Sequence, residues 1–168
     1  MFVDSHCHLD FPDLIEREAE VLANMAANRV SHALCISVKL ETFPAVLGLA
    51  ERHPGLYATV GVHPDNEAVE EPDVERLCAL AQHPRVVGIG ETGLDYYWHK
   101  DRPEWQRARF RTHIQAARRC GKPLIVHTRA AVDDTLRLMR EEGADMPGGV
   151  MHCFTESREV AAAALDLG

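Results

Sequence analysis

The sequence predicts an α/β protein of the TIM-type (β/α)8 barrel class, with about six of the eight βα units present in 168 residues. Three observations carry that reading. Short apolar runs alternate with longer helical patterns, which predicts a parallel sheet with right-handed crossovers. His6 and His8 stand two apart at the end of the first run, so a strand sends both imidazoles to one side. Four later runs also end in a polar or potential ligand group, namely His63, Glu91, His127 and His152. A doubly wound sheet gathers its functional groups at a switch point between a few strands, whereas convergence of five strand ends needs a sheet that curls round.

The first strand, about 2–6, opens on Phe2-Val3 and precedes a helical pattern over about 13–28. His-Ala-Leu-Cys-Ile-Ser at about 32–37 reads as the second strand, with a helix over about 41–53. The third strand, about 57–62, precedes a helix at about 73–82 that Pro72-Asp73 can start. Val86-Val-Gly-Ile-Gly90 forms most of the fourth strand, about 85–90, and the helix at about 101–120 can end at Gly121-Lys122-Pro123. A fifth strand at about 123–127 leads to a helix at about 131–142 that Gly143 can end, and a sixth at about 148–152 leads to a helix at about 156–166. No Pro-, Gly- or Ser-rich linker separates these units, so residues 1–168 read as a single, incomplete barrel domain. A full barrel has eight units and about 250 residues, so two units are expected to be lacking. The unclosed sheet would carry two open edges, from which self-association or low solubility is expected.

Composition narrows the class. The chain is 46% hydrophobic, ordinary for a globular protein, and has no basic leader followed by an apolar stretch. No apolar run approaches the roughly 18 residues of a membrane span, so a cytoplasmic, membrane-free protein is expected. Five cysteines without paired spacing read as reduced thiols. The net charge of −8, from 26 acidic and 18 basic residues, argues against a broad phosphate-binding face. A nucleic acid or other phosphate would have to be met locally, by metal ions and a few arginines.

Phe2-Val3-Asp4-Ser5-His6-Cys7-His8-Leu9-Asp10, Gly61-Val62-His63-Pro64, Gly88-Ile89-Gly90-Glu91-Thr92-Gly93-Leu94-Asp95-Tyr96-Tyr97, Pro123-Leu124-Ile125-Val126-His127-Thr128-Arg129 and His152-Cys153-Phe154 together resemble the TatD family of metal-dependent deoxyribonucleases, within the amidohydrolase-like TIM barrels. The resemblance covers essentially the whole chain. It implies a binuclear site in which His6, His8 and Glu91 bind one divalent ion and Glu91, His127 and His152 the other, with Glu91 bridging as the central catalytic carboxylate. It also implies hydrolysis of phosphodiester bonds in DNA, in exonuclease fashion, by a metal-activated water. The family's last metal-site Asp, in a motif resembling E-T-D-x-P, has no counterpart before Gly168, and Ala130 stands where an acidic residue often follows the Arg.

The residue types suit that chemistry on their own terms. Two cations about 3.5–4 Å apart can activate a water and stabilise charge on phosphoryl oxygens. A carboxylate can give one oxygen to each ion, whereas an imidazole offers a single lone pair. Mixed imidazole and carboxylate ligands fit zinc or manganese, and magnesium favours more oxygen. Some assignments stay open. His63 reads equally as a substrate-phosphate contact or a loop-rigidifying hydrogen bond, and Arg129 as a phosphate grip or a partner of Asp133. Asp4, Asp10 and Asp95 read as carboxylates that orient the imidazoles or as simple strand ends. Two alternatives to a nuclease are attack at carbon on an ester, lactone or amide, and an inactive fragment that lacks the last Asp. A Lys or Arg cluster near Arg129 would favour phosphodiesters, and an apolar pocket would favour esters.

Overall fold

The computed structural model describes residues 1–168. Its six strands are β1 (Phe2–Cys7), β2 (Val30–Cys35), β3 (Leu56–Val60), β4 (Val86–Asp95), β5 (Leu124–Arg129) and β6 (Gly149–Met151). They form one parallel sheet in sequence order, so each crossover advances by one strand. The helices are α1 (Pro12–Ile15), α2 (Glu18–Ala27), α3 (Phe43–Arg52), α4 (Val74–Ala81), α5 (Glu104–Cys120), α6 (Val132–Glu142) and α7 (Arg158–Leu165). No helix is long and apolar enough to cross a membrane.

The sheet is curled. Six strands spaced at about 4.8 Å would put β1 and β6 about 24 Å apart in a flat sheet. Yet His6 at the end of β1 and His152 just after β6 stack with ring centroids 3.7 Å apart. The expected barrel-type architecture is present as six strands of the curve, with β1 and β6 each paired on one side only.

The core lies between the sheet and the outer helices. Val60, Ile89, Leu124 and Val126 from the strands meet Leu49, Leu77, Phe110, Ile114 and Leu138 from the helices, all essentially inaccessible. Burial of each such side chain contributes about 1.5–3 kcal/mol. Helices α2 and α7, near the two ends of the chain, bury no residue completely.

Local signals place most boundaries. Asp73 caps α4 by accepting from the Arg76 N–H at 2.7 Å, and Gly121 and Gly143 end α5 and α6 in left-handed conformations. Two expectations need correction. The helix expected at 13–28 is broken, because Arg17 leaves the helical region (φ −115°, ψ 23°). Leu14 and Ile15 before the break, and Val21, Leu22 and Met25 after it, all pack on the core. The fourth strand does not stop near residue 90 but continues to Asp95, because Thr92 to Asp95 pair in register with Val126 to Arg129. All five cysteines are free thiols.

Candidate metal centre

Glu91 lies inside β4, only 2% exposed, where the pairing of β4 with β5 shifts register between Ile89 and Thr92. Its backbone N–H donates to Ser37 O at 2.8 Å, and the Ser37 hydroxyl donates to Gly61 O at 3.2 Å, tying together the ends of β2, β3 and β4. A Cβ at Gly61 would fall 2.6 Å from the Gly90 backbone, so this approach requires glycine.

Five imidazoles surround that carboxylate, and its two oxygens divide them. Oε2 faces His6 Nε2 at 3.2 Å and His8 Nε2 at 3.9 Å. Oε1 faces His152 Nε2 at 2.8 Å, His127 Nδ1 at 3.3 Å and His63 Nε2 at 3.4 Å. Two trios, His6–His8–Glu91 and His63–Glu91–His127, have donor atoms within 4.8 Å of one another. The five residues expected as ligands therefore come together in space. His63, with two open readings in the sequence, joins them: its Nδ1 sits 2.5 Å from Asp65 Oδ1, which turns Nε2 toward Glu91.

The electrostatics follow from this crowding. Burial pushes the Glu91 carboxyl up, but contacts from His127, His152, His6 and His63 outweigh it and hold the group well below the usual carboxylate range. Burial opposes charge on His63, yet Asp65 and Glu91 raise its pKa to about 9. At His8 burial prevails and lowers the value.

The donor set fits divalent ions. His6 Nδ1, His6 Nε2 and His8 Nδ1 are buried without a hydrogen-bond partner, so the His6 approach to Glu91 is a contact without hydrogen-bond alignment. Two ligand atoms about 2.0–2.1 Å from a shared tetrahedral ion lie about 3.3 Å from each other. Three of the five imidazole-to-carboxylate distances are 3.2–3.4 Å.

The remaining expected residues divide. Asp95 Oδ2 accepts from His127 Nε2–H at 3.2 Å, whereas Asp4 accepts only the backbone N–H of His6 and Asp10 Oδ1 has no partner. Arg129 does not pair with Asp133; its guanidinium lies 3.9 Å over the Tyr97 ring. Lys39, Asp65, Asn66 and Phe11 line the cleft beside Glu91, and Phe11 stacks on His8 at 4.8 Å.

Sequence reasoning missed the support behind the site. Gln106, Arg109 and His113 recur on one face of α5, and all three are buried. Gln106 donates to Pro64 O at 2.8 Å and accepts from Asp95 N–H at 3.0 Å. Arg109 donates to His63 O and Asn66 O at 3.1 and 2.8 Å and pairs with Glu71. His113 Nε2 accepts from Val62 N–H at 3.0 Å. The available signal was polar side chains at the core-facing positions of an amphipathic helix.

The family described as TatD related DNase matches residues 3–168. The chain is 44% identical over 170 residues to the uncharacterized metal-dependent hydrolase YcfH of Escherichia coli K12, covering 99% of this chain and 63% of that protein. It is 34% identical over 157 residues to the 3'-5' ssDNA/RNA exonuclease TatD of Enterobacter lignolyticus, covering 93% of this chain and 60% of that protein. The crystal structure of YJJV, a TatD homologue from Escherichia coli K12, superposes with a TM-score of 0.91 at 31% identity, over 99% of this chain and 65% of that one. The chain thus spans less than two thirds of the length of these relatives.

Proposed function

The chain belongs to the TatD-related DNase family of metal-dependent hydrolases, and from that membership we propose that it takes part in hydrolysis of phosphodiester bonds in nucleic acid at a site for two divalent cations. The observation that carries the reading is the division of five imidazoles between the two oxygens of one buried carboxylate, with His6 and His8 nitrogens buried and unpartnered.

In this reading His6, His8 and Glu91 would hold one cation, and Glu91, His127 and His152 the other, with His63 beside the same carboxylate. Zinc or manganese suits these ligands, and magnesium suits them less. When bound, such a pair activates a water and stabilises charge on phosphoryl oxygens. The chain's own groups do the rest. Asp95 keeps the His127 proton on Nε2 and leaves Nδ1 free to face Glu91. Lys39 at the cleft wall and Arg129 at the end of β5 supply positive charge for a bound phosphate in an acidic chain.

Cleft composition favours phosphodiesters over esters, lactones or amides. Apart from Phe11, Pro12 and Val38, the lining is polar or charged. The test is release of acid-soluble nucleotides from DNA by the purified chain. Release that depends on added manganese or zinc and disappears with EDTA is expected. Hydrolysis of carboxylic esters or lactones in place of DNA would overturn the reading.

A further inference from the structure

The fold brings together two pairs of cysteines that lie far apart in sequence. Cys78 on α4 and Cys120 at the end of α5 are 42 residues apart, yet their Sγ atoms lie 3.7 Å from each other. Both thiols face one carbonyl: Cys120 Sγ donates to Ala116 O at 2.6 Å, and Cys78 Sγ approaches the same oxygen at 3.7 Å. That shared acceptor turns the two sulfurs to one spot. A disulfide needs about 2.05 Å between them, a shift within reach of rotation about the Cα–Cβ bonds. The second pair, Cys7 and Cys35, has its sulfurs 4.0 Å apart, but Cys35 is completely buried.

Access separates the two pairs. Cys78 and Cys120 are half-buried and open on a surface groove whose walls include Glu75, Arg119 and Lys122. Glu75 pairs with Arg119 at 2.5 Å, whereas the Lys122 ammonium donates to Ala81 O and Val86 O and pairs with no carboxylate. The groove therefore presents two thiols and an unbalanced cation to solvent, which suits a small molecule that carries carboxylates. Burial and the neighbouring Cys78 push the Cys120 thiol up to about 11. Cys120 thus stays protonated at neutral pH, and Cys78 is the group left to open a reaction.

We propose that Cys78 and Cys120 form a dithiol site that reduces a low-molecular-weight, carboxylate-bearing disulfide of the glutathione class and closes to a disulfide between α4 and α5. The site stands apart from the nucleic-acid reading, since neither cysteine lines the cleft beside Glu91. Cys78 gives its proton to water, and its thiolate attacks one sulfur of the external disulfide; that S–S bond breaks, and the first small thiolate leaves and takes up a proton. Cys120, no longer raised by a thiol beside it, then loses its proton and attacks the Cys78 sulfur, and the second small thiolate leaves and is protonated. Two electrons pass from the protein to the small molecule, and two small thiols carry off the two protons. Contact between the sulfurs makes the second step intramolecular, so the mixed disulfide does not accumulate. The new bond ties α4 to the helix whose Gln106, Arg109 and His113 hold the loops after β3 and β4.

The test treats the reduced, purified protein with oxidised glutathione under native conditions, then unfolds it, blocks the remaining thiols with iodoacetamide and maps them by peptide mass spectrometry. A Cys78–Cys120 cross-link that dithiothreitol reverses is expected, with Cys7 and Cys35 recovered as free thiols and the exposed Cys153 stopping at a mixed disulfide. The cross-linked protein is expected to melt about 4–16 °C above the reduced one. Cys120→Ser is expected to accumulate the mixed disulfide at Cys78, and Cys78→Ser to leave Cys120 a free thiol. Wild type in which Cys78 and Cys120 both stay free after Cys153 has reacted, or in which Cys78 stops at the mixed disulfide, overturns the site. So does a Cys7–Cys35 bond that forms first, and modification of Cys120 in Cys78→Ser refutes the order of attack.

Discussion

Asp95 accepts from His127 Nε2–H at 3.2 Å, and this bond settles which ring nitrogen of His127 faces Glu91. The two carboxylates lie four residues apart on the same strand and face opposite nitrogens of one imidazole. Because Asp95 also holds the Tyr97 and Trp98 N–H groups, one side chain couples a candidate ligand to the segment that follows β4.

Replacing Asp95 by Asn keeps an oxygen for those two N–H groups but places an amide NH2, a donor, opposite His127 Nε2 and so removes the acceptor that orients the ring. Metal affinity is expected to fall about 10- to 100-fold, the usual effect of losing a group that orients a ligand, with an unchanged circular dichroism spectrum. Titration against a chelating zinc indicator measures it, and an unaltered affinity would refute the orienting role.

Arg109→Met removes the donors to His63 O and Asn66 O and leaves Glu71 without its partner. A stability loss of about 1–3 kcal/mol is expected from carbonyls left unsatisfied. Faster amide exchange confined to residues around 63–71 would locate the effect; exchange that rises evenly through the chain would mean that Arg109 serves the core rather than the loop.

His113 gives a pH dependence of defined sign. Burial holds its pKa down to about 4, against an ordinary value of 6.5. Between those values the unfolded chain takes up a proton that the folded chain refuses, so stability falls as pH drops from 6.5 toward 4 and is unaffected above that window. Urea melts at pH 7 and 4.5 should show wild type losing about 2–3 kcal/mol more than His113→Gln. Parallel losses in the two proteins would show that His113 is protonated normally.

At Gly93, φ is +128° and a Cβ would lie 2.0 Å from His127 O. Gly93→Ala must therefore push β5 away from β4 and move His127. Thermal melting of the soluble fraction is expected to show a loss of at least about 3 kcal/mol; a near-native melting temperature would mean that the two strands have room that the structure does not contain.

The strand order and the gathering of histidines around Glu91 were legible because both depend on local pattern. Alternating apolar runs and helices identify a parallel sheet, and a group at the end of five of the six runs identifies the face where they meet. The extension of β4 was not legible, since Thr92 to Asp95 are held as strand by pairing with Val126 to Arg129, more than thirty residues away. The α5 stripe was hidden for a related reason. Gln106, Arg109 and His113 lie among apolar positions of the helix, and their partners, the loops after β3 and β4, are distant in sequence. The break at Arg17 has no Gly or Pro to announce it; packing of Leu14 and Ile15 on the core decides it.

The central claim is that Glu91 and its histidines form a divalent-metal centre. Equilibrium dialysis of the purified chain against manganese or zinc, followed by elemental analysis, tests it most directly, with Glu91→Gln dialysed in parallel. About two ions per chain in wild type and a loss of at least one in the variant is the predicted result. Wild type that retains no metal, or a variant that retains as much as wild type, would contradict the account.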